Sequence, residues 1–551
     1  MRKVFDYIIV GGGSAGCVLA NRLSECGQYQ VCLLEAGGVD NSIFIKMPSA
    51  VAVPLSTPKY TWAFESEPER HLKGRKIFSP RGKVIGGCSS INGMVYMRGH
   101  PLDYDEWESS GAEGWSYADT LPYFKRAEHR ADGGDTWRGT GGPLKTRYGT
   151  LTNPLYRAFI GAAVDAGYAE SEDLNGYRQE GFGRFDMTVH NGERWSTAAA
   201  YLRPALARPN LHVVYKALAT KVIIQDGKAE AVEFTCGGEK RVYAAKREIL
   251  LSSGPINTPQ LLMLSGIGEE SELVEHGIQP VHSLPGVGKN LQDHISLYIQ
   301  VECKKPVTLN AISSVDKAKI GARWLLKRDG LGATNHFECG GFIRSRAGIK
   351  HPDIEIHFLP VAVREKGHPK LKEHGFQVDV GPTKSKSMGQ VSLSSASPTD
   401  PPKITYNYLS KPEDWAEMRA CIRLVREIIN QPSLADFAGE ELVPGRNIQS
   451  DDELDAFIAA HVESGYHPSG TCKMGSTADP EAVVDSSLKV IGINNLRVVD
   501  SSVIPVITNA NLNAPTIMIA EKAADLILGH PLLSPEKADY YIPDNWMTHQ
   551  R

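Results

Sequence analysis

The chain has 551 residues, of which 41% are hydrophobic and 23% charged, and its formal net charge is −4. This balance is typical of a soluble globular protein with a large core. The sequence contains no basic block of the kind that binds nucleic acid and no apolar run long enough to cross a membrane. We therefore expect neither a nucleic-acid partner nor a transmembrane segment.

The cysteine and histidine patterns predict a protein of a reducing compartment, and they predict no metal site in it. Nine cysteines are scattered between Cys17 and Cys472, and none forms a C-x-x-C pair. His461 and His467 are six residues apart, which puts them on different helix faces, and no H-E-x-x-H motif occurs. The first residues do not resemble a signal peptide. We expect a cytoplasmic protein, and a peripheral contact with a membrane surface remains open.

The N-terminal elements predict a strand–helix–strand unit. Residues 6–10 are typical of a buried parallel strand, residues 14–24 of a helix, and residues 31–34 of the next strand. The unit spans about thirty residues, which is the usual length of a βαβ unit.

Further along the chain, alternating polarity indicates antiparallel strands, and apolar periodicity indicates helices. We read the stretch between about 300 and 460 as a second, α+β domain over the first one. The predicted strands are two in 212–225, one at 248–252, and further strands in 375–393 and 402–408. The predicted helices are Thr258 to Leu264, 412–430, 452–462 and 515–528.

A dinucleotide-binding motif follows the first strand. Gly11, Gly13 and Gly16 form G-x-G-x-x-G, which permits a tight turn, a close backbone approach to a pyrophosphate and close packing of helix on strand. Glu35 ends the second strand, where a carboxylate accepts hydrogen bonds from a ribose 2′-OH and disfavours NADP. This motif fits both FAD and NAD.

Several longer stretches carry a family resemblance. Residues 81–99, 254–268 and 285–294 are similar to signatures of the glucose-methanol-choline (GMC) oxidoreductases. Residues 335–346 and 467–475 most resemble the bacterial choline dehydrogenases of that family. The resemblance runs nearly end to end and implies an α/β fold, in which a Rossmann-like FAD-binding domain is interleaved with an α+β substrate-binding domain. The FAD-binding domain is expected in 1–155, 195–300 and 463–535, the substrate-binding domain in 156–194 and 301–462, and a C-terminal tail in 536–551.

The resemblance also implies which residues hold FAD. Some oxidases of the family attach the flavin covalently to a histidine after the Gly-Gly-x-Ser-Ser stretch. That position is Ile91 here, so we expect non-covalent FAD. Besides the three glycines and Glu35, the cofactor residues implied are Ser14, Ala15, Ala36, Trp62, Val84, Gly86, Gly87, Asn92, Gly93, Met94, Val95, Ala219, Asp500 and Thr516.

The family pattern pairs His467 with an amide or histidine forty-four residues further on, which is Asn511. Asn513 is the second candidate for this position. A histidine takes the hydroxyl proton of an alcohol near neutral pH, and an amide N–H holds the forming alkoxide. This pair predicts FAD-dependent oxidation of a small primary alcohol. The same fold could also serve a lyase, a photoenzyme or a non-catalytic flavoprotein.

The identity of the alcohol is left open by position 296. Trp62 and Tyr466 offer aromatic faces to a quaternary ammonium group. Choline-oxidising relatives commonly carry a glutamate where this chain has Ser296, and Glu338 is the candidate to replace it. The substrate is therefore choline, a neutral alcohol or a short hydroxy acid. The dehydrogenase-like sequence favours a quinone or another electron carrier as acceptor over O₂.

Overall fold

The computed structural model describes residues 3–310, 312–362 and 374–551. Two sheets organise it, called here sheet I and sheet II. Sheet I consists, in spatial order, of Leu211–Tyr215, Val31–Glu35, Lys3–Val10, Glu239–Leu251, Lys228–Cys236 and Ala217–Gln225, with Leu496–Val498 beside Glu239–Leu251. Sheet II consists of Cys339–Ile343, Ile354–Leu359, Gly375–Pro382, Ile295–Cys303 and Ala438–Val443, with Glu463–Ser464 beside Ile295–Cys303.

Sheet I confirms the predicted N-terminal unit. Lys3–Val10 and Val31–Glu35 are parallel neighbours, and the helix Ser14–Ser24 connects them. The strand predicted at 248–252 is the end of the much longer Glu239–Leu251. Its first half is rich in exposed charged residues and pairs with an antiparallel hairpin, so it lacks the continuous apolar run of a buried parallel strand.

Sheet II is antiparallel and has two different faces. Its apolar face includes Leu297, Ile356 and Val378, which belong to one core cluster with the helix Pro412–Ile429. The alternate residues face the opposite side, as the period of two requires. Sheet II is therefore packed on helices on one side and free to form the wall of a site on the other.

Two expectations about this region need correction. The strand Gly375–Pro382 ends well before 393, and Gln390–Ser392 pairs with Lys403–Thr405 in a separate two-stranded sheet. The alternation of polarity continues across the loop between them, so it does not mark the end of the strand. The domain boundary expected at residue 300 falls inside Ile295–Cys303, all of which belongs to sheet II.

Nine helices of eight or more residues are found in the described ranges, and none is both long and apolar enough to cross a membrane. The helix predicted from Thr258 begins at Gly254, and that predicted from 515 begins at Asn513. The nine helices are Ser14–Ser24, Pro101–Ser109, Tyr117–Ala127, Pro154–Asp165, Gly254–Leu264, Ser314–Lys327, Pro412–Ile429, Asp451–His461 and Asn513–Leu528.

Candidate active site

A cavity of about 660 Å³ lies between the carboxyl ends of the sheet I strands and the polar face of sheet II. Gly11, at φ +102°, turns the chain from the first strand towards the helix Ser14–Ser24. A Cβ on Gly16 would stand 1.9 Å from the carbonyl oxygen of Gly11, so only glycine allows the helix to pack this close. The helix has no side-chain cap at Gly13, which leaves its first N–H groups directed at the cavity.

Glu35 is fixed at the end of its strand by the backbone. Its Oε2 accepts from the N–H of Gly12 (2.8 Å) and its Oε1 from the N–H of Gly37 (2.6 Å). Burial raises the pKa of Glu35, and the two N–H donors oppose that rise. Glu35 lines the cavity, and its carboxyl oxygens have further lone pairs that can accept from a ligand.

The loop after Gly82 forms a second wall against the helix. Gly86 donates its N–H to the carbonyl of Gly12 (2.7 Å), and a Cβ on Gly87 would stand 2.7 Å from the Cα of Gly13. Arg194, which was not identified from the sequence, donates through Nη1 to Oδ1 of Asn92 (2.9 Å). These contacts shape a narrow slot lined by backbone, as a planar cofactor requires.

Most residues implied by the resemblance reach the cavity wall. Gly16, Val84 and Gly86 instead lie directly behind it and hold the wall together. On the wall are Gly11, Gly13, Ser14, Ala15, Glu35, Ala36, Trp62, Gly87, Asn92, Gly93, Met94, Val95, Ala219, Asp500 and Thr516, together with Ile91.

His467 and Asn511 meet at the other end of the cavity. The Nδ2 of Asn511 lies 3.0 Å from the Nε2 of His467. Asn513 is engaged elsewhere, because its Oδ1 accepts from the hydroxyl of Ser14 (2.8 Å). The geometry brings together His467 and the residue expected forty-four positions later, and it places the side chain of Asn513 against the first residue of the helix Ser14–Ser24.

The protonation of His467 follows from its neighbour His294. The Nε2 of His294 lies 2.9 Å from the carbonyl oxygen of Thr508, which can only accept, so this nitrogen carries the hydrogen. Burial lowers the pKa of His294 to about 4, which leaves its Nδ1 bare near neutral pH. That atom lies 3.0 Å from the Nδ1 of His467, which must donate. The ring lone pair of His467 is therefore on Nε2, where it accepts from the Nδ2–H of Asn511.

Asp293 fixes the backbone of the same segment. Its Oδ1 accepts from the N–H of His467 (2.7 Å), and its Oδ2 accepts from the hydroxyls of Tyr408 (2.6 Å) and Ser464 (2.5 Å). Burial raises the pKa of Asp293 to about 6, although these donors oppose the rise. Neither role was predicted from the sequence, in which Asp293 and His294 served only to locate position 296.

Burial also holds the pKa of His467 well below its usual value, and nearby His294, His357 and Arg81 add to this effect. An ordinary imidazole pKa was expected from the sequence. The structure corrects this: the buried environment favours the neutral imidazole, which can accept a proton.

The substrate residues have mixed outcomes. Tyr466 and Ser296 line the cavity. Trp62 also lines it, but the ammonium of Lys83 lies 3.9 Å from the centre of its ring, so one face is taken by a cation of the protein itself.

The expectation for Glu338 is wrong. This side chain is buried behind the wall, where Oε2 accepts from the N–H of Leu151 (2.6 Å) and Oε1 from the hydroxyl of Thr334 (2.5 Å). Both oxygens serve the protein interior, and Glu338 does not reach the cavity that the structure shows.

Comparisons with known proteins agree with this geometry. The GMC oxidoreductase family models match residues 5–296 and 385–520. The chain belongs to the GMC oxidoreductase family. It is 54% identical to an oxygen-dependent choline dehydrogenase of Vibrio vulnificus, covering 100% of this chain and 99% of that one. It is 52% identical to the protein of the same name from Brucella anthropi, covering 99% and 100%.

Solved structures show the same fold. The chain is similar to pyridoxine 4-oxidase, at 30% identity with a TM-score of 0.88, covering 96% of this chain and 99% of that one. It is also similar to a variant of Aspergillus oryzae formate oxidase, at 27% identity with a TM-score of 0.90, covering 96% and 98%. This GMC chain is an FAD-dependent oxidoreductase that acts on CH–OH donors, and it is choline dehydrogenase-like. The uncapped helix, the glycine slot and Glu35 fit the pyrophosphate, the flavin and the ribose of FAD.

Proposed function

We propose that this protein oxidises a small primary alcohol to the aldehyde, with His467 as the base and Asn511 as the group that holds the alcohol oxygen. When bound, FAD supplies the hydride acceptor, flavin N5. The observation that carries the proposal is the contact of Asn511 with the unprotonated Nε2 of His467 on the cavity wall.

The two side chains divide the work on the hydroxyl group. His467 Nε2 accepts the hydroxyl proton, and the resulting imidazolium still donates through Nδ1 to His294. The N–H of Asn511 that points to Nε2 in the structure turns to the substrate oxygen when Nε2 takes the proton, so that the amide N–H₂ holds the developing alkoxide. Proton removal raises the negative charge on oxygen, which is what makes hydride leave the carbon.

The test is His467→Ala, which should lower the rate of flavin reduction by substrate at least about a hundredfold, the low end for a general base. The rate is measured anaerobically by the loss of flavin absorbance. The matched control is His530→Ala, which replaces an exposed histidine just after the last long helix and should leave flavin reduction normal. Reduction at the native rate in His467→Ala, with normal flavin content, contradicts the proposal.

We further propose that FAD is bound without a covalent link, because Ile91 has no nucleophilic atom. Acid precipitation should release all the yellow colour into the supernatant. Colour that remains on the precipitated chain contradicts this.

We propose a quinone or another organic carrier as the electron acceptor, in a cytoplasmic protein that contacts the membrane surface at most peripherally. The name of the choline dehydrogenase relatives favours O₂ as a second candidate. Formation of one hydrogen peroxide for each alcohol oxidised in air would contradict the organic carrier and support O₂ as the acceptor. Choline, the substrate in the name of the same relatives, is the first alcohol to test.

A further inference from the structure

Sheet II brings two carboxyl groups to the substrate end of the cavity. Glu355 and His357 are alternate residues of Ile354–Leu359, and Asp379 stands directly opposite His357 in the next strand. All three line the cavity, on the face opposite the apolar core. None of them was identified from the sequence.

Each carboxyl group has an oxygen that lacks a hydrogen-bond donor among the described residues. These are Oε1 of Glu355, a side chain that is only 6% exposed, and Oδ1 of Asp379. Nε2 of His357 lies 3.4 Å from Oε1 of Glu355, in a contact without hydrogen-bond geometry. Buried acceptors are almost always satisfied, so this pair lacks donors that a ligand would bring.

The electrostatics of the pair point to a cation. Burial raises the pKa of Asp379 to about 7, although a hydrogen bond with Ser296 opposes this rise. Burial also raises the pKa of Glu355 well above its usual value, and the charge of Asp379 raises it further. Two such neighbours ionise together only when a positive charge lies between or beside them. An anionic ligand would be repelled.

We propose that Glu355 and Asp379 form a cation-binding subsite, and that the preferred substrates are short amino alcohols whose ammonium group carries an N–H. The proposal rests on the alcohol oxidation proposed above. The hydroxyl lies at His467, and an ammonium N–H donates to an open oxygen of the pair, while the charge of the ammonium group stabilises both carboxylates.

A quaternary ammonium group fits this subsite less well, because it has no N–H to donate. It depends on aromatic faces, and the Trp62 ring is already paired with Lys83. The described cavity wall carries one arginine, Arg81, whose Nη1 donates to the carbonyl oxygen of Tyr466 (2.9 Å). The wall therefore offers more to a cation with N–H groups than to either a quaternary cation or a hydroxy acid.

The subsite also accounts for Ser296. This residue lies on the cavity face of sheet II, on the strand beside that of Asp379. A carboxyl group is thus missing at 296, and carboxyl groups are present on the adjacent strand (Asp379) and on the strand beyond it (Glu355). Compared with a site that carries a glutamate at position 296, the negative charge of this pocket lies further across sheet II.

A binding experiment separates this subsite from catalysis. Trimethylammonium and tetramethylammonium ions have no hydroxyl group and differ in one N–H, so neither can be oxidised as an alcohol. Their dissociation constants for the FAD-loaded enzyme are measured by calorimetry. Trimethylammonium should bind at least about tenfold more tightly, the lower range for a hydrogen bond to a charged group.

Asp379→Asn and Glu355→Gln should each remove most of this difference. Asp400→Asn is the matched control, because Asp400 is a carboxylate on the same cavity wall, in the segment that contacts Gln260, and it should leave the difference intact. Equal binding of the two ions by the native enzyme overturns the proposal, as does a preference that survives in both variants.

Turnover then identifies the substrate. Anaerobic flavin reduction is compared for dimethylethanolamine, choline, the neutral carbon isostere of choline, and glycerol. Dimethylethanolamine should be the fastest at low concentration. A faster reaction with the isostere or with glycerol overturns the subsite but leaves alcohol oxidation standing. If no alcohol reduces the flavin, the proposed function fails, and the binding comparison still tests the subsite.

Discussion

The contact between His294 and His467 makes a quantitative prediction about the base. In His294→Ala, the Nδ1–H of His467 loses the acceptor that now lies 3.0 Å away. A buried donor without an acceptor costs about 1–3 kcal/mol, and the imidazole avoids this cost by moving its proton to Nε2. That tautomer cannot accept the hydroxyl proton. Since ~1.4 kcal/mol corresponds to a factor of ten, the population of the active tautomer falls about five- to 150-fold.

The rate of anaerobic flavin reduction at saturating alcohol should fall by the same factor. His294→Asn is the matched control, because its amide oxygen stands close to the former Nδ1 and can accept the same proton. It should recover most of the rate. Since His294 acts through His467, its substitution should add little to the loss in His467→Ala. A full further loss in the double variant, or a native rate in His294→Ala, refutes the reasoning.

Three further predictions concern the pH dependence of the rate, the packing at Gly16 and the role of the buried Glu338. Because the pKa of His467 is held well below its usual value, the rate of flavin reduction by a neutral alcohol should stay constant as pH falls through 6.5. A decrease in this rate with a midpoint at or above pH 6.5 contradicts the prediction. Gly16→Val places side-chain atoms against the Gly11 carbonyl, so bound FAD, measured by absorbance, and thermal stability should both fall, and normal flavin content refutes the packing argument. Glu338→Leu leaves the buried N–H of Leu151 without its acceptor, so the free energy of unfolding should drop by about 1–3 kcal/mol while the ratio of amino-alcohol to neutral-alcohol rates stays unchanged. A changed ratio at native stability would return Glu338 to the substrate site.

The cofactor end of the cavity was largely predictable from the sequence. Gly11, Gly13 and Gly16 act through the backbone, and local spacing fixes where the backbone turns. Glu35 is placed by the end of its own strand. Such features depend on short-range order, which a single sequence displays directly.

The substrate end was not predictable in the same way. Alternation along 375–382 shows that Asp379 and Gln377 share a face, but not what that face meets. Glu338 and Glu355 are both glutamates in similar apolar surroundings, and only the tertiary arrangement directs one into the interior and the other to the cavity. The same holds for His294, whose role depends on a neighbour 173 residues away.

The two faces of sheet II have an evolutionary consequence. Leu297, Ile356 and Val378 belong to the hydrophobic core, while the residues between them line the cavity. A substitution at every second position can thus change which molecule is recognised with little effect on folding. Such a scaffold can acquire new specificities in single steps, and relatives named for pyridoxine and formate share its architecture.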